Sequence, residues 1–384
     1  MRFIRIHTVT CIYKGSYRFL FFLKVMLKIA EHCTELRSLN VKDTCVTDDG
    51  LKLICRGSEF CLETRGCDLE RLVISFDVSL NCILCILRHM TNLCDFHENP
   101  HICHALHILA TTQEPSPVFK LRNLTVGSSE SEDYKEFNLK KFYPTKESLL
   151  TYLKTCPNLT KLCIIGIPDE YQIEAFSPFQ IDDLTVISNT FFELEKVLPI
   201  IKSYGKHLTS LSLGNCVNGD IVTLGKAAPR LESLRIQGNG WMKGKDICNE
   251  IFTDLNILSL EGLDRVNSEP NYVMTEDAFQ TLCTASDKLE TIEFIRCEDF
   301  RDSDHLKRLF EDYGLFLLST VTFTETQVTL SELKQILFAD NCLFTIEVSS
   351  CPLVHHDDLK ELAKLAREKR LDYEIGFIPC DEDD

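Results

Sequence analysis

The side chains best equipped for chemistry in this sequence lie between Cys82 and His107. They are Cys82, Cys85, His89, Cys94, His97, His101, Cys103, His104 and His107. Thiolate and imidazole are the ligands zinc prefers, and C-x-x-C is a common half-site. No second C-x-x-C follows at finger spacing. Cys82 and Cys85 also fall on the small apolar positions of what reads as a helix. Buried thiols and surface imidazoles are therefore expected, with no metal and no cofactor. His355-His356-Asp357-Asp358 reads in the same way as a helix start. No phosphate-binding glycine loop, H-E-x-x-H or nucleophile elbow occurs. With nineteen cysteines and eleven histidines, chance Cys–His pairs are unavoidable and signal no protease. No catalytic constellation is present, and the chain does not read as an enzyme.

The elements that would position these residues recur. Leu36-x-x-Leu39-x-Val41 returns at Leu69, Leu72 and Ile74, at Leu121, Leu124 and Val126, and at Leu159, Leu162 and Ile164. It continues from Ile181, Leu208, Leu231, Leu255, Leu289, Leu318 and Leu343, with a degenerate copy at Leu93 and Phe96. Eleven steps from Leu36 to Leu343 average about 28 residues, the period of a solenoid with one strand and one helix per coil. The alternating L-x-L core suits a short strand with one buried side. No single copy could bury that side alone, so neighbours must stack. The fold class expected is α/β, a solenoid horseshoe with a parallel sheet inside and helices outside.

Between strand and helix a small polar or thiol side chain recurs at Asp77, Asn189, Cys216, Asn239, Cys297 and Cys351. Pointing inward, these would bond the turn of their own or the next coil. Helix starts repeat too. Val46-Thr47 with Leu51, Met274-Thr275 with Phe279, and Val328-Thr329 with Leu333 each pair a capping threonine with a hydrophobic staple. Thr329 and Glu332 add a capping box. Val354 to Leu359 and Thr145 to Leu149 are further versions.

The formal charge is −17, from 58 acidic and 41 basic residues. Such a surface repels phosphate backbones and excludes nucleic acid as the main partner. The apolar run Phe19–Ala30 is interrupted by Lys24 and Lys28 and is too short for a bilayer span. No small-residue cleavage site follows it, so no membrane association is expected. The sequons at Asn123 and Asn158 sit at strand starts in a thiol-rich chain and are discounted. An odd number of thiols, nineteen, many of them at apolar positions, suits a reducing compartment, cytoplasmic or nuclear.

Cys33-Thr-Glu-Leu36 through Val46-Thr-Asp-Asp-Gly-Leu51, and Cys156-Pro-Asn-Leu159-Thr-Lys-Leu162, resemble the cysteine-containing leucine-rich repeat of F-box/leucine-rich-repeat proteins. The resemblance covers roughly residues 30 to 375. It implies a substrate receptor of a Skp–cullin–F-box ubiquitin ligase, whose repeats hold the substrate while the F-box docks on an adaptor. The chain departs from that family in having no visible F-box, since its first proline is Pro100. Residues 1–32 read as an incomplete or degenerate N-terminal repeat, 33–375 as a solenoid of about twelve repeats, and 376–384 as an acidic tail. Either the N-terminus is truncated, or a partner supplies the missing cap.

A protein partner, substrate or adaptor, is the expectation, with the oligomeric state left open. Its candidate contacts are Lys161, Arg235, Glu261, Glu293 and Glu347 among the residues alternating with the strand apolars, together with the lone Trp241 if it is exposed, burial under the next helix being the equal alternative. Ser38, Asn40, Asn123, Thr125, Ser210, Ser212, Ser259, Thr291, Thr320, Thr322 and Thr345 complete that inner face. It turns acidic toward the C-terminal half, as a basic or polar segment would require. Insertions at Gly127–Pro144 and Glu261–Val273 should project from one rim. A second class of function, a repeat protein that covers and regulates an enzyme in the manner of ribonuclease inhibitor, fits the same architecture.

Overall fold

Each apolar triplet that the structure describes forms a strand whose alternate residues are buried, and the strands stack in parallel. The computed structural model describes residues 8–10, 26, 28–29, 33, 36–42, 44, 46–56, 68–74, 78–96, 101–112, 117–127, 146–166, 178–242, 251–262, 273–297, 315, 317–338, 343–368 and 374–378. The expected Phe19–Ala30 helix, both insertions, Asp77, Thr145 and the acidic tail lie wholly or mostly outside them. The chain divides into two compact units, Met1–Ile181 and Asp182–Asp384.

In the first unit, β1 (Thr8–Thr10), β2 (Ser38–Asn40), β3 (Arg71–Val73) and β4 (Asp95–Phe96) form one parallel sheet in chain order. Val9, Leu39 and Leu72 are in register, as are Leu72 and Phe96. β5 (Asn123–Gly127) pairs with β6 (Lys161–Ile165), Leu124 opposite Leu162 and Val126 opposite Ile164. The helices α1 (Asp48–Arg56), α2 (Leu80–His89), α3 (Ile102–Thr112) and α4 (Lys146–Thr155) follow their strands and pack in succession. Ser79 caps α2, accepting from the Cys82 N–H, and itself donates to Asp48 in the first turn of α1. One coil thus caps the next.

The second unit runs β7 (Asp183–Glu193), β8 (Ser210–Val217), β9 (Ser233–Gln237), β10 (Ile257–Glu261), β11 (Thr291–Ile295), β12 (Thr320–Thr324), β13 (Thr345–Ser349) and β14 (Glu374–Ile378), each paired with the next in parallel. Leu211, Leu234, Leu258, Ile292, Val321 and Ile346 form one buried row. Leu213, Ile236, Leu260, Phe294, Phe323 and Val348 form the next. Phe294 and Phe323 stack, their centroids 5.5 Å apart. Its helices are α5 (Leu198–Tyr204), α6 (Ile221–Ala227), α7 (Glu276–Ala285), α8 (Leu330–Phe338) and α9 (His356–Glu368). With one strand per coil and helices in the return segments, the protein is an α/β leucine-rich-repeat solenoid.

Strand entry uses each carbonyl twice. Asn256 O accepts from Glu290 N and Thr291 N, both at 2.9 Å, and Glu290 O does the same for Ser319 and Thr320. At four strands of the second unit the residue just past the ladder to the following strand is left-handed. Asn215, Arg296, Glu325 and Ser350 take positive φ there, and Gly166 does so in the first unit. The following residue turns inward. Cys297 Sγ donates to Leu260 O of the preceding coil at 3.2 Å, and Cys351 Sγ lies 3.4 Å from Ser349 O of its own. The thiols therefore serve their own and the preceding turn, not the next. Asn189 breaks the expectation and is exposed. β7 slips register between Ile187 and Phe192, and Phe192 takes the slot opposite Cys216.

The expected caps hold at Thr275, which accepts from Ala278 N, and at the Thr329–Glu332 box, closed from both sides. Asp220, not anticipated, caps α6. β14 was also unmarked in the sequence, because Leu371 lies four residues before Ile375 where the repeat places three. No described helix is long and apolar enough to cross a membrane.

Candidate partner-binding face

Inward rows bury the apolar side chains, so each strand must turn its alternate residues outward. In the second unit the outward middle row is Ser212, Arg235, Ser259, Glu293, Thr322 and Glu347, strand by strand. Beside it run Ser210, Ser233, Ile257, Thr291, Thr320 and Thr345 on the entry side. Gly214, Gln237, Glu261, Ile295, Thr324 and Ser349 lie on the exit side.

Arg235 and Glu261 meet. The Glu261 carboxylate accepts from Arg235 Nη2 at 2.7 Å and from Gln237 Nε2 at 3.0 Å, and also receives Arg296 Nη2. Its side chain is 6% exposed, against 49% for Arg235 and 32% for Arg296. Two guanidiniums and an amide saturate the carboxylate, so Glu261 is a tie across β9, β10 and the exit of β11. That corrects the expectation that Glu261 faces a partner. Arg235 keeps half its surface. Gln237 was findable in the sequence, since it falls on the outward row beside Glu261. Arg296 was not, because its side chain reaches back only through its left-handed backbone, φ 51°.

Trp241 takes the buried alternative and leaves the list of contacts. It is fully buried, with its indole N–H donating to Cys216 O at 3.2 Å. Gly219 makes the room, for a Cβ there would stand 2.5 Å from the indole ring. Trp241 is a wedge between coils and presents nothing to a partner.

Glu293 and Glu347 do face outward, half-buried, two strands apart. Thr322, between them, donates to Glu347 at 3.3 Å. The nearest outward neighbour of Glu293 on β10 is Ser259. It is only 5% exposed, and its buried hydroxyl has no hydrogen-bond partner. In the first unit Lys161 is exposed on β6, in register with Asn123. Asn123 is a stitch rather than a contact. It accepts from Phe96 N at 3.0 Å and donates to Asp95 Oδ1 at 2.7 Å, linking β5 to β4.

His97 lies outside the described residues, and the described members of the Cys–His cluster have separate duties. Cys82 Sγ points at Asp48 O and Cys103 Sγ at Thr125 O, while His89 Nδ1 lies 2.8 Å from Cys85 O. Burial pushes the Cys82 thiol up to about 12, with Asp48 adding to the shift, and burial does the same for Cys156 and Cys216. Among the described residues no three His, Cys, Asp or Glu side chains converge as a metal site.

No protein-family model matches the chain, and no curated protein is similar to it in sequence. Solved structures do resemble it. One is from the crystal structure of the yeast Rad7 and Elc1 complex, at 14% identity and TM-score 0.48, over 88% of this chain and 75% of that one. An internalin, inlF, from Listeria monocytogenes matches at 15% identity and TM-score 0.40, over 90% and 81%. A chain of the TLR13–ssRNA13 complex matches at 12% identity and TM-score 0.45, over 92% and 51%. No role or partner passes from these to the present chain.

Proposed function

We propose that this chain is a protein-recognition scaffold that binds its partner on the outward strand face of the second unit. The observation supporting this is the register itself. From β8 to β13 every outward residue is held at a fixed strand spacing by neighbours on both sides, which spares a partner most of the ordering cost of binding. The finer reading is substrate recognition for a Skp–cullin–F-box-type ubiquitin ligase in the reducing interior of the cell. It rests on the sequence resemblance of the Cys33–Leu51 and Cys156–Leu162 units.

Affinity capture of the full chain from its native cells tests both levels. Recovery of an adaptor and a cullin is expected, together with a further protein that Thr322→Trp, a bulky side chain in the middle of the face, fails to recover. Capture of neither adaptor nor cullin overturns the ligase reading. A partner set unchanged by Thr322→Trp overturns the choice of face.

A further inference from the structure

The outward face of β11 to β13 carries two carboxylates, Glu293 and Glu347, and no cation among its nine outward positions. Thr291, Thr320, Thr322, Thr324, Thr345 and Ser349 fill most of the rest with hydroxyls. The basic residues that balance acid elsewhere on the face are already engaged, Arg235 and Arg296 both by Glu261. The second feature is Ser259, register partner of Glu293 on β10. A buried hydroxyl without a partner is destabilising, and nothing in its own coil relieves it. Both features call for the same ligand, one that brings positive charge and a polar group to the edge of β10.

Spacing narrows the class. Parallel strands lie about 4.8 Å apart, so positions two strands apart are separated by about 9.6 Å. A polyproline-type segment rises about 3.1 Å per residue with three residues per turn, so side chains three apart share a side and stand about 9.3 Å apart. A segment crossing the strands in that conformation would set successive turns against alternate strands.

We infer that this face takes an extended basic segment of a protein partner, with lysine or arginine side chains three residues apart on Glu293 and Glu347. The residue that meets Glu293 brings its polar backbone over Ser259, the register partner on β10. The inference rests on the strand face being the binding face and adds the chemistry of its occupant.

The test uses the full chain and a labelled dodecapeptide of four Lys-Pro-Pro repeats, read by fluorescence anisotropy, with four Glu-Pro-Pro repeats as counterpart. The lysine peptide is expected to bind, to weaken as salt rises, and to lose about tenfold or more in affinity for the Glu293→Gln/Glu347→Gln double variant. The double variant Asp287→Asn/Asp357→Asn removes two exposed carboxylates away from the strand face and should bind as the native chain does. Equal weakening by both double variants would mean that the peptide answers only to net charge, and overturns the inference. So does equal binding of the glutamate peptide, or no binding of the lysine peptide. Should Thr322→Trp abolish partner capture while the lysine peptide fails these tests, the face stands and the basic class of occupant falls.

Discussion

Replacing Glu261 by alanine removes the acceptor shared by Arg235, Gln237 and Arg296. A hydrogen bond to a charged group contributes about 1.5–3 kcal/mol, but Arg235 and Arg296 keep 49% and 32% of their side-chain surface. Water takes over much of each guanidinium, so each ion pair retains under about 1 kcal/mol. Gln237, a neutral and half-exposed donor, loses its carboxylate acceptor, worth about 1 kcal/mol. The sum is about 2–3 kcal/mol, below the 3–5 kcal/mol typical of breaking a wholly buried pair. Trp241, the chain's single tryptophan, is buried in the same unit and reports its unfolding by fluorescence. Glu261→Ala should lower the urea midpoint of that transition without changing its slope. Combined with Arg235→Ala in a double-mutant cycle, it should show a coupling of about 0.5–1 kcal/mol. A variant within about 0.5 kcal/mol of the native chain, or a coupling of zero, would refute the view that this carboxylate ties three strands together.

Gly219→Ala would drive a methyl into the indole at 2.5 Å. It should cost about 1–3 kcal/mol and shift Trp241 emission to the red in the folded protein. The thiols of Cys82, Cys156 and Cys216, pushed up to about 12 by burial, should resist a thiol-exchange reagent at pH 8 and react only on unfolding. His101 is held below its ordinary value by burial and then by His104. The unfolded chain therefore takes up the proton first as pH falls through about 6.5. Stability is lost on acidification below that point, and thermal melts of His101→Gln should show a shallower fall between pH 7 and 5.5.

The coil was legible because burial imposes a period. A strand with one wet side must write L-x-L, and a helix entering water must write its cap, so Leu124, Leu211, Leu258 and Thr329 were readable in place. The outward face was readable by subtraction, as whatever alternates with those leucines. What alternation cannot tell is which outward residues spend their charge on one another. Glu261 and Arg235 sit two strand positions out of step, and Arg296 joins them through a turn whose φ no residue type announces. Trp241 was undecidable for a related reason. Gly238-Asn239-Gly240-Trp241 left exposure and burial equally open, because the glycine that decides between them, Gly219, belongs to the previous coil. Asn189 failed where β7 slips register and Phe192 enters the stack, an event set by packing against Cys216.

The doubly used carbonyls at strand entry tie the start of each coil to the one before it. An array wired in this way can gain or lose members in whole steps, because excising one complete turn lets the two cut ends find matching donors and acceptors. Half a turn cannot be spared. Under tension applied from the C-terminal end, the same wiring would release the second unit as a sequence of small extensions, each set by the length of its coil, rather than one rupture, so a partner gripping several coils would act as a mechanical clasp.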